Sequence, residues 1–267
     1  MTEKIEEFFK ENKIEYFSAL AYGDCRSIDS GCSLREKFTP QSVILYLLPY
    51  YVGGAENLSE YATSLDYHIL LKDINTRLVA LLSEIYPDAH FGGYGDVSPI
   101  DERDAALKCG FGILGDSGLL LNPKYGSYVF IGEVISDLPP SELGAVPPLD
   151  VVRCEGCGLC KKACPTGFLS GNPECLSGIT QRKGELSDNE IELMKKENTV
   201  WGCDVCQKVC PHNRNVSKTE IEFFYKDRIA TLTTRTVNEM DKKTFRTRAF
   251  AWRGKATLLR NLEKLGY

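Results

Sequence analysis

The sequence lacks a long apolar run. Its most hydrophobic stretch, SVILYLLPYYV at 42–52, is about half of what a membrane-spanning helix needs, so no transmembrane segment is expected. It also lacks the apolar centre of a secretory signal. The first residues, MTEKIEEFFKENK, carry charges of both signs, and a cytoplasmic location is the expectation. Positive charge is not in excess: 32 Lys and Arg against 37 Asp and Glu leave a net charge of −5. That balance argues against a strongly basic nucleic-acid binder. There is no low-complexity tract and, apart from a doubled cysteine pattern, no internal repeat. A repeat array is thereby excluded.

What the sequence does have is cysteine, eleven of them. Without an export signal they belong in a reducing compartment, where thiols stay thiols or bind metal. The rest of the composition, 43% hydrophobic and 26% charged, is that of a globular protein. A length of 267 residues suits one large domain, or one domain with a small insert.

Residues 2–12 read as a helix with Ile5, Phe8 and Phe9 on one face, and 42–50 as a buried strand. Ile69, Ile74, Leu78, Leu81, Leu82 and Ile85 recur near helical spacing, which predicts a helix over about 60–85 that Pro87 stops. HFGGYGDVSP (90–99) reads as a glycine-rich turn leading to a helix from near Pro99 to Gly110. SGLLLNPKYGSYVFIGEVIS (117–136) reads as two strands joined by the turn NPKYG. The four prolines of DLPPSELGAVPPLD (137–150) mark a linker. The expected fold class is α+β: an α/β domain over 1–150, an inserted cysteine-rich module over 151–216, and a helical C-terminal segment over 217–267 that packs on the first two.

Cys154, Cys157, Cys160 and Cys164-Pro165 follow the spacing C-x2-C-x2-C-x3-C-P. This is a specific signature of [4Fe–4S] binding, in which the fourth cysteine serves a second cluster where there are two. Cys203, Cys206 and Cys210-Pro211 repeat part of it, and Cys175 lies between. These eight cysteines complete two four-thiolate sets. By the crossover rule, Cys154, Cys157, Cys160 and Cys210 hold one cluster, and Cys164, Cys175, Cys203 and Cys206 the other. The proline after each last cysteine turns the chain away and stops the local helix. A four-cysteine zinc site, the competing reading, pairs C-x2-C units and needs neither the third cysteine nor the Cys-Pro endings. Cys25, Cys32 and Cys109 remain and read as buried free thiols. A two-cluster ferredoxin-like module alone only moves electrons, so the other residues must supply their destination.

Between Lys226 and Arg260 ten Lys and Arg stand against three Asp and Glu. A solvated helical face and a docking surface for phosphates both account for this run.

With these motifs in view the sequence resembles the cobalamin-dependent epoxyqueuosine reductase family of tRNA queuosine synthesis. ECLSGIT (174–180) is similar to the family's R-C-I-S-Y-L-T, and WGCDVCQKVCPHN (201–213) to its YGCDDCQxxCPWN. YATSLDYHILLK (61–72) resembles Y-A-R-G-x-D-Y-H-K. DVSPIDER (96–103) carries the four anchors of D-[ST]-x-P-x-x-E-R. CGFGILGDSGLLLNPKYGSYVFIGEV (109–134) parallels A-G-[LI]-G-W-x-G-K-x-x-L followed by G-S-[WF]-x-F-L-G-E. FRTRAFAWRGKATLLRNLEKLG (245–266) resembles the segment that closes the family's catalytic region. The resemblance runs from about residue 40 to the C-terminus.

The resemblance implies a base-off cobalamin held between an α/β corrinoid-binding domain and a double [4Fe–4S] module. Electrons from an external low-potential donor then reach cobalt through the clusters, and cob(I)alamin removes the epoxide oxygen at the wobble position of tRNA with a GUN anticodon. It places the proton donor at Asp96 and further pocket residues at Asp66, His68 and Arg103. Corrinoid contacts fall at Ser117, Leu120 and Ile131 on the expected hairpin, and at Ser177, Asp204 and Val205 beside cluster cysteines. Opening an epoxide and expelling water needs such a donor, and a carboxylic acid serves at neutral pH if partial burial raises its pKa. An Asp shortly before Pro99 at a helix start also reads as an N-terminal cap. An ion pair is the competing reading for Asp66 and Arg103, and a satisfied interior histidine for His68. The sequence departs from the family pattern at Thr63, Ile113 and Asp116. It reads as a short, monomeric form lacking the family's C-terminal helical-repeat domain. A related corrinoid iron–sulfur reductase of a small molecule and a two-cluster electron-transfer protein are the alternatives.

Overall fold

A computed structural model describes residues 1–28 and 38–267. The chain packs as two units, one of Met1–Pro49 with Leu70–Cys154, the other of Tyr50–Ile69 with Glu155–Tyr267. The sequence suggests consecutive divisions near 150 and 216. The contacts instead group 50–69 with the later residues.

The first unit contains, in chain order, α1 (Glu3–Glu11), β1 (Phe17–Ala21), β2 (Ser42–Pro49), α2 (Tyr67–Ile85, its first turn counted with the second unit), β3 (Phe91–Tyr94), α3 (Glu102–Lys108), β4 (Ile113–Leu114), β5 (Leu120–Leu121) and β6 (Val129–Ser136). Four strands form an antiparallel sheet in the order β1-β2-β6-β3. The continuous apolar run of β2 is buried at every residue because it lies inside the sheet, covered on both faces.

A polar chain fixes α2 on this sheet. Tyr46 lies opposite Gly132 of β6, and its hydroxyl donates to Asn75 Oδ1 at 2.8 Å. Asn75 Nδ2 then donates to the Tyr94 carbonyl at 3.0 Å. The ring of Tyr46 occupies the space a side chain at Gly132 would need: a Cβ there would stand 2.2 Å from Cζ.

Several expectations change here. α2 begins at Tyr67, and residues 60–62 form only a 3-10 turn. Its buried face uses Leu71, Ile74, Asn75, Leu78 and Leu82, whereas Ile69 is 43% exposed. The HFGGY stretch is an edge strand, not a turn, because its glycines admit α2 closely; a Cβ on Gly93 would be 2.7 Å from that of Asn75. α3 starts at Glu102, with Asp101 as its cap, accepting the Asp104 N–H at 2.9 Å. β5 does not pair with β6 as the expected hairpin requires. Both edges of β6 are taken by β2 and β3, so β5 pairs with β4 in a separate two-stranded sheet. The proline-rich 137–150 segment is strapped to this unit: Val146 N–H donates to Ala19 O and Leu149 N–H to Lys108 O.

The second unit holds α4 (Leu159–Ala163), α5 (Leu176–Gln181), α6 (Asp188–Lys196), α7 (Val205–Lys208), α8 (Thr234–Glu239), α9 (Lys242–Arg246) and α10 (Lys255–Leu265). Its main core gathers Trp201, Phe245, Phe250, Leu258 and Leu262. Glu60 organises the 50–60 loop from inside: its carboxylate accepts the N–H groups of Val52, Gly53 and Ala55 and pairs with Arg228 at 2.9 Å. No helix among the described residues is long and apolar enough to cross a membrane.

Gly132→Ala drives a methyl group into a buried ring that cannot swing away. Overpacking of this kind costs roughly 1–3 kcal/mol. Hydrogen-exchange protection of the β2 and β6 amides is the measurement, and unchanged protection would show that the sheet tolerates a side chain there.

Candidate cluster and catalytic site

The eight cysteines of the cluster motifs fall on short helices and the turns between them. α4, which carries Cys160, packs against α7, which carries Cys206, within the second unit. The turn before α4 needs a left-handed residue, and Gly158 (φ 73°) supplies it as the cap. Gly202, just before Cys203, also has φ 78°, and a Cβ there would meet that of Ser59 at 2.4 Å.

The thiols of Cys164, Cys175, Cys203 and Cys206 act on one another. Burial pushes Cys206 up to about 12, and the neighbouring Cys203, Cys175 and Cys164 push in the same direction. Cys203 is likewise raised to about 12, by burial first and by Cys175 and Asp204 after it, while the Val205 N–H opposes. Cys164 moves the other way. Burial disfavours its thiolate, but the backbone N–H groups of Leu169, Thr166 and Phe168 and the Thr166 hydroxyl overcome that and lower its pKa. Cys154, the last residue of the first unit, accepts the Asp116 N–H at 3.3 Å. Cys157 is exposed and Cys160 buried.

This donor set fits clustered iron. Thiols this close repel one another once ionised and then need cations between them, and N–H donors around sulfur suit a sulfur that carries charge. Among the described residues no three His, Cys, Asp or Glu side chains converge on a single metal ion. A [4Fe–4S] cube takes its four thiolates on separate irons. Cys25 and Cys109 lie apart, both pushed up to about 12 mainly by burial; Cys32 lies outside the described residues.

In the first unit the start of α3 gathers the other candidates. Asp96 is exposed on a tight turn in which Val97 N–H donates to Gly95 O, and it adopts the left-handed region (φ 64°). Its own N–H donates to Glu102 Oε1 at 2.6 Å. The next residue, Arg103, donates to the Gly118 carbonyl, one residue after Ser117. The first turn of α3 therefore holds the Asp96 loop with one side chain and the 115–118 turn with the next. Ile131 is close by: a Cβ on Gly95 would stand 3.3 Å from its carbonyl. β3 ends at Tyr94, opposite Glu133, so its pairing with β6 covers Glu133–Ser136 and stops short of Ile131. Ser117 and Ile131 are half-buried, whereas the Leu120 side chain enters the core. Half-buried residues beside glycine suit a large planar ligand such as a corrin at Ser117 and Ile131, and the buried side chain leaves only backbone groups for that purpose at Leu120.

Below this loop lies Glu133, fully buried on β6, which sequence reasoning missed. It accepts the Ser98 hydroxyl. Burial, then the neighbouring Glu102 charge, raise it to about 8, against the pull of Ser98. Glu133 is thus mostly protonated at neutral pH, while Glu102, nearer the surface, accepts the Asp96 N–H. Glu102 stood in the DVSPIDER motif without a role; nothing in the sequence marked Glu133.

In the second unit Asp66 precedes α2, and its carboxylate accepts the His68 N–H at 3.1 Å and contacts His68 Nδ1 at 2.7 Å. The His68 ring is exposed and stacked on Tyr67, so it is not an interior histidine. Ser177 is half-buried and accepts the Gln181 amide at 2.9 Å. Val205 is half-buried at the start of α7. The Asp204 carboxylate is turned inward, accepting from Ser59 Oγ, the Glu60 N–H and the Gln207 amide. Burial raises its pKa despite these donors. Its side chain braces the 59–60 turn.

Residues 153–213 match the family described as "4Fe-4S double cluster binding domain". An epoxyqueuosine reductase of Staphylococcus aureus is 33% identical over 73% of this chain and 52% of its own. One from Cyclobacterium marinum is 35% identical over 77% of this chain and 68% of its own. A solved epoxyqueuosine reductase, determined with an epoxyqueuosine-modified stem loop of tyrosine tRNA, superposes over 98% of this chain and 80% of its own. Its TM-score is 0.80 at 22% identity, a likeness of fold. The chain spans about half the length of the first of these curated relatives. Identity of 35% across two thirds of the Cyclobacterium relative settles the lineage: the chain belongs to the epoxyqueuosine reductase family.

Proposed function

We propose that this chain is a corrinoid- and iron–sulfur-dependent reductase that converts epoxyqueuosine to queuosine in tRNA. The observation that carries the reading is the placement of Asp96. Asp101 fills the cap position of α3, and Glu102 holds Asp96 with its side chain exposed on a left-handed turn. That is an arrangement for presenting a carboxyl group outward.

When bound, the clusters and the corrinoid supply the low-potential electrons. The chain supplies the rest. Removing an epoxide oxygen as water consumes two protons with the two electrons; Asp96 delivers one to the departing oxygen, and solvent supplies the second. Its exposure means that the bound substrate must provide the desolvation that keeps the carboxyl protonated near neutral pH. Glu102 fixes the reach of Asp96 through its backbone, and neutral Glu133 and Ser98 anchor the loop from below. Asp66 orients the His68 ring through Nδ1, and both are proposed to bind the substrate, as is Arg103, which also sets the 115–118 turn. Ser117 and Ile131, with backbone groups of Leu120, Ser177, Asp204 and Val205, are proposed as the corrinoid contacts.

Asp96→Asn in the anaerobic, reconstituted protein is expected to keep cluster and corrinoid spectra and to lose turnover of epoxyqueuosine-containing stem loop by about 10²–10⁴-fold. Near-wild-type turnover in a chemistry-limited assay would leave Asp96 without this role.

Cluster assignment has its own test. Cys210→Ala and Cys157→Ala are expected to leave the same residual electron paramagnetic resonance spectrum on reduction, because both belong to one cluster; Cys175→Ala leaves the other. A Cys210→Ala spectrum that matches Cys175→Ala instead would overturn the crossover pairing.

A further inference from the structure

The cations of the C-terminal basic stretch do not share one environment. Lys242, Lys243 and Arg246 of α9 are exposed. Arg248, two residues beyond, is only 5% exposed, and its Nε and Nη1 have no hydrogen-bond partner among the described residues. Other basic residues of the stretch are engaged: Arg228 with Glu60, Arg260 with the Arg182 carbonyl, Lys255 with the Met240 carbonyl. Arg248 alone among these combines deep burial with unmet donors.

Its backbone leaves little room for an alternative placement. The Arg248 N–H donates to Phe245 O at 3.2 Å, the residue forms an antiparallel bridge with Leu65, and Thr247 O accepts the Asp66 N–H at 2.8 Å. Burial pulls its pKa down, and Asp227 opposes that only through space. A guanidinium stays charged even so, and a buried charge with unmet donors is costly unless an anion completes it. The planar fork of Arg matches the paired oxygens of a phosphate.

The surroundings select the anion. α9, with its three exposed cations, packs against the 251–253 turn. There Trp252 is 61% exposed, and the Arg253 guanidinium lies 3.8 Å from its ring centroid. Cations beside an exposed aromatic face suit a single-stranded nucleic acid, whose phosphates follow the charge while a base stacks on the ring. A small carboxylate has no use for the outer cations or for the ring.

We propose that Arg248 is the buried receptor for one backbone phosphate of an RNA strand whose adjacent phosphates run over Lys242, Lys243 and Arg246. This rests on the tRNA reading above and adds to it a division of labour. The exposed cations supply attraction that salt screens, and Arg248 fixes the position of one phosphodiester.

The test compares wild type, Arg248→Met and Arg248→Lys, each as reconstituted holoprotein. An unmodified anticodon stem loop and inorganic phosphate are the probes. Arg248→Met is expected to lower stem-loop affinity roughly tenfold and to reduce the log–log salt slope by nearly one unit. Phosphate is expected to raise the thermal midpoint of wild type and leave that of Arg248→Met unmoved, a difference that a purely structural arginine would not produce. Arg248→Lys keeps the charge without the fork, should fall between the two, and decides the matter if the methionine variant does not fold. Affinity and slope equal to wild type in the variants, or equal protection of all three by phosphate, would overturn the proposal and leave the RNA reading standing. Failure of wild type to bind the stem loop would overturn both.

Discussion

The crowding of four half-buried cysteines is the constraint on which the second unit depends. Cys164, Cys175, Cys203 and Cys206 lie close enough for each to bear on Cys206, and burial already disfavours its ionised form. On its own such a set favours protonated Cys203 and Cys206, because further thiolates there would repel, whereas iron needs the protons removed. Iron between them resolves this, since binding exchanges protons for metal and couples cluster loading to folding. The N–H groups turned toward Cys164 and Cys154 serve the same end by stabilising charge on sulfur. Local backbone then follows: short helices, left-handed glycines and a proline after each last cysteine are what brings thiols inward at these spacings.

The first unit solves a different electrostatic problem. Glu102 and Glu133 are neighbours, and the sheet buries the second of them completely. Two ionised carboxylates there would repel, so the buried one keeps its proton. Glu102 is then the acceptor for the Asp96 backbone. The catalytic proposal thus leans on a carboxyl group that touches no substrate.

Legibility in the sequence followed the range of the determinant. The cluster cysteines were readable because iron fixes both residue type and spacing within a dozen residues. β2 was readable because the unbroken apolar run Val43–Leu48 has few other places to go. What failed depended on distant partners. The glycines of β3 look like a turn until Asn75 is seen pressing on Gly93. β5 and β6 look like a hairpin until β2 and β3 are seen to occupy both edges of β6. Among site residues, the family resemblance singled out Asp96, Asp66, His68 and Arg103, whereas the supporting Glu133, Glu60 and Ser59 gave no local signal. Arg248 looked like three other cations of the same stretch, and only burial sets it apart.

The claim on which all else rests is that these cysteines hold two [4Fe–4S] clusters. Iron, acid-labile sulfide and zinc, measured together on anaerobically purified protein, test it most directly. The account predicts about eight iron and about eight sulfide per chain. One or two zinc ions with no sulfide would contradict it.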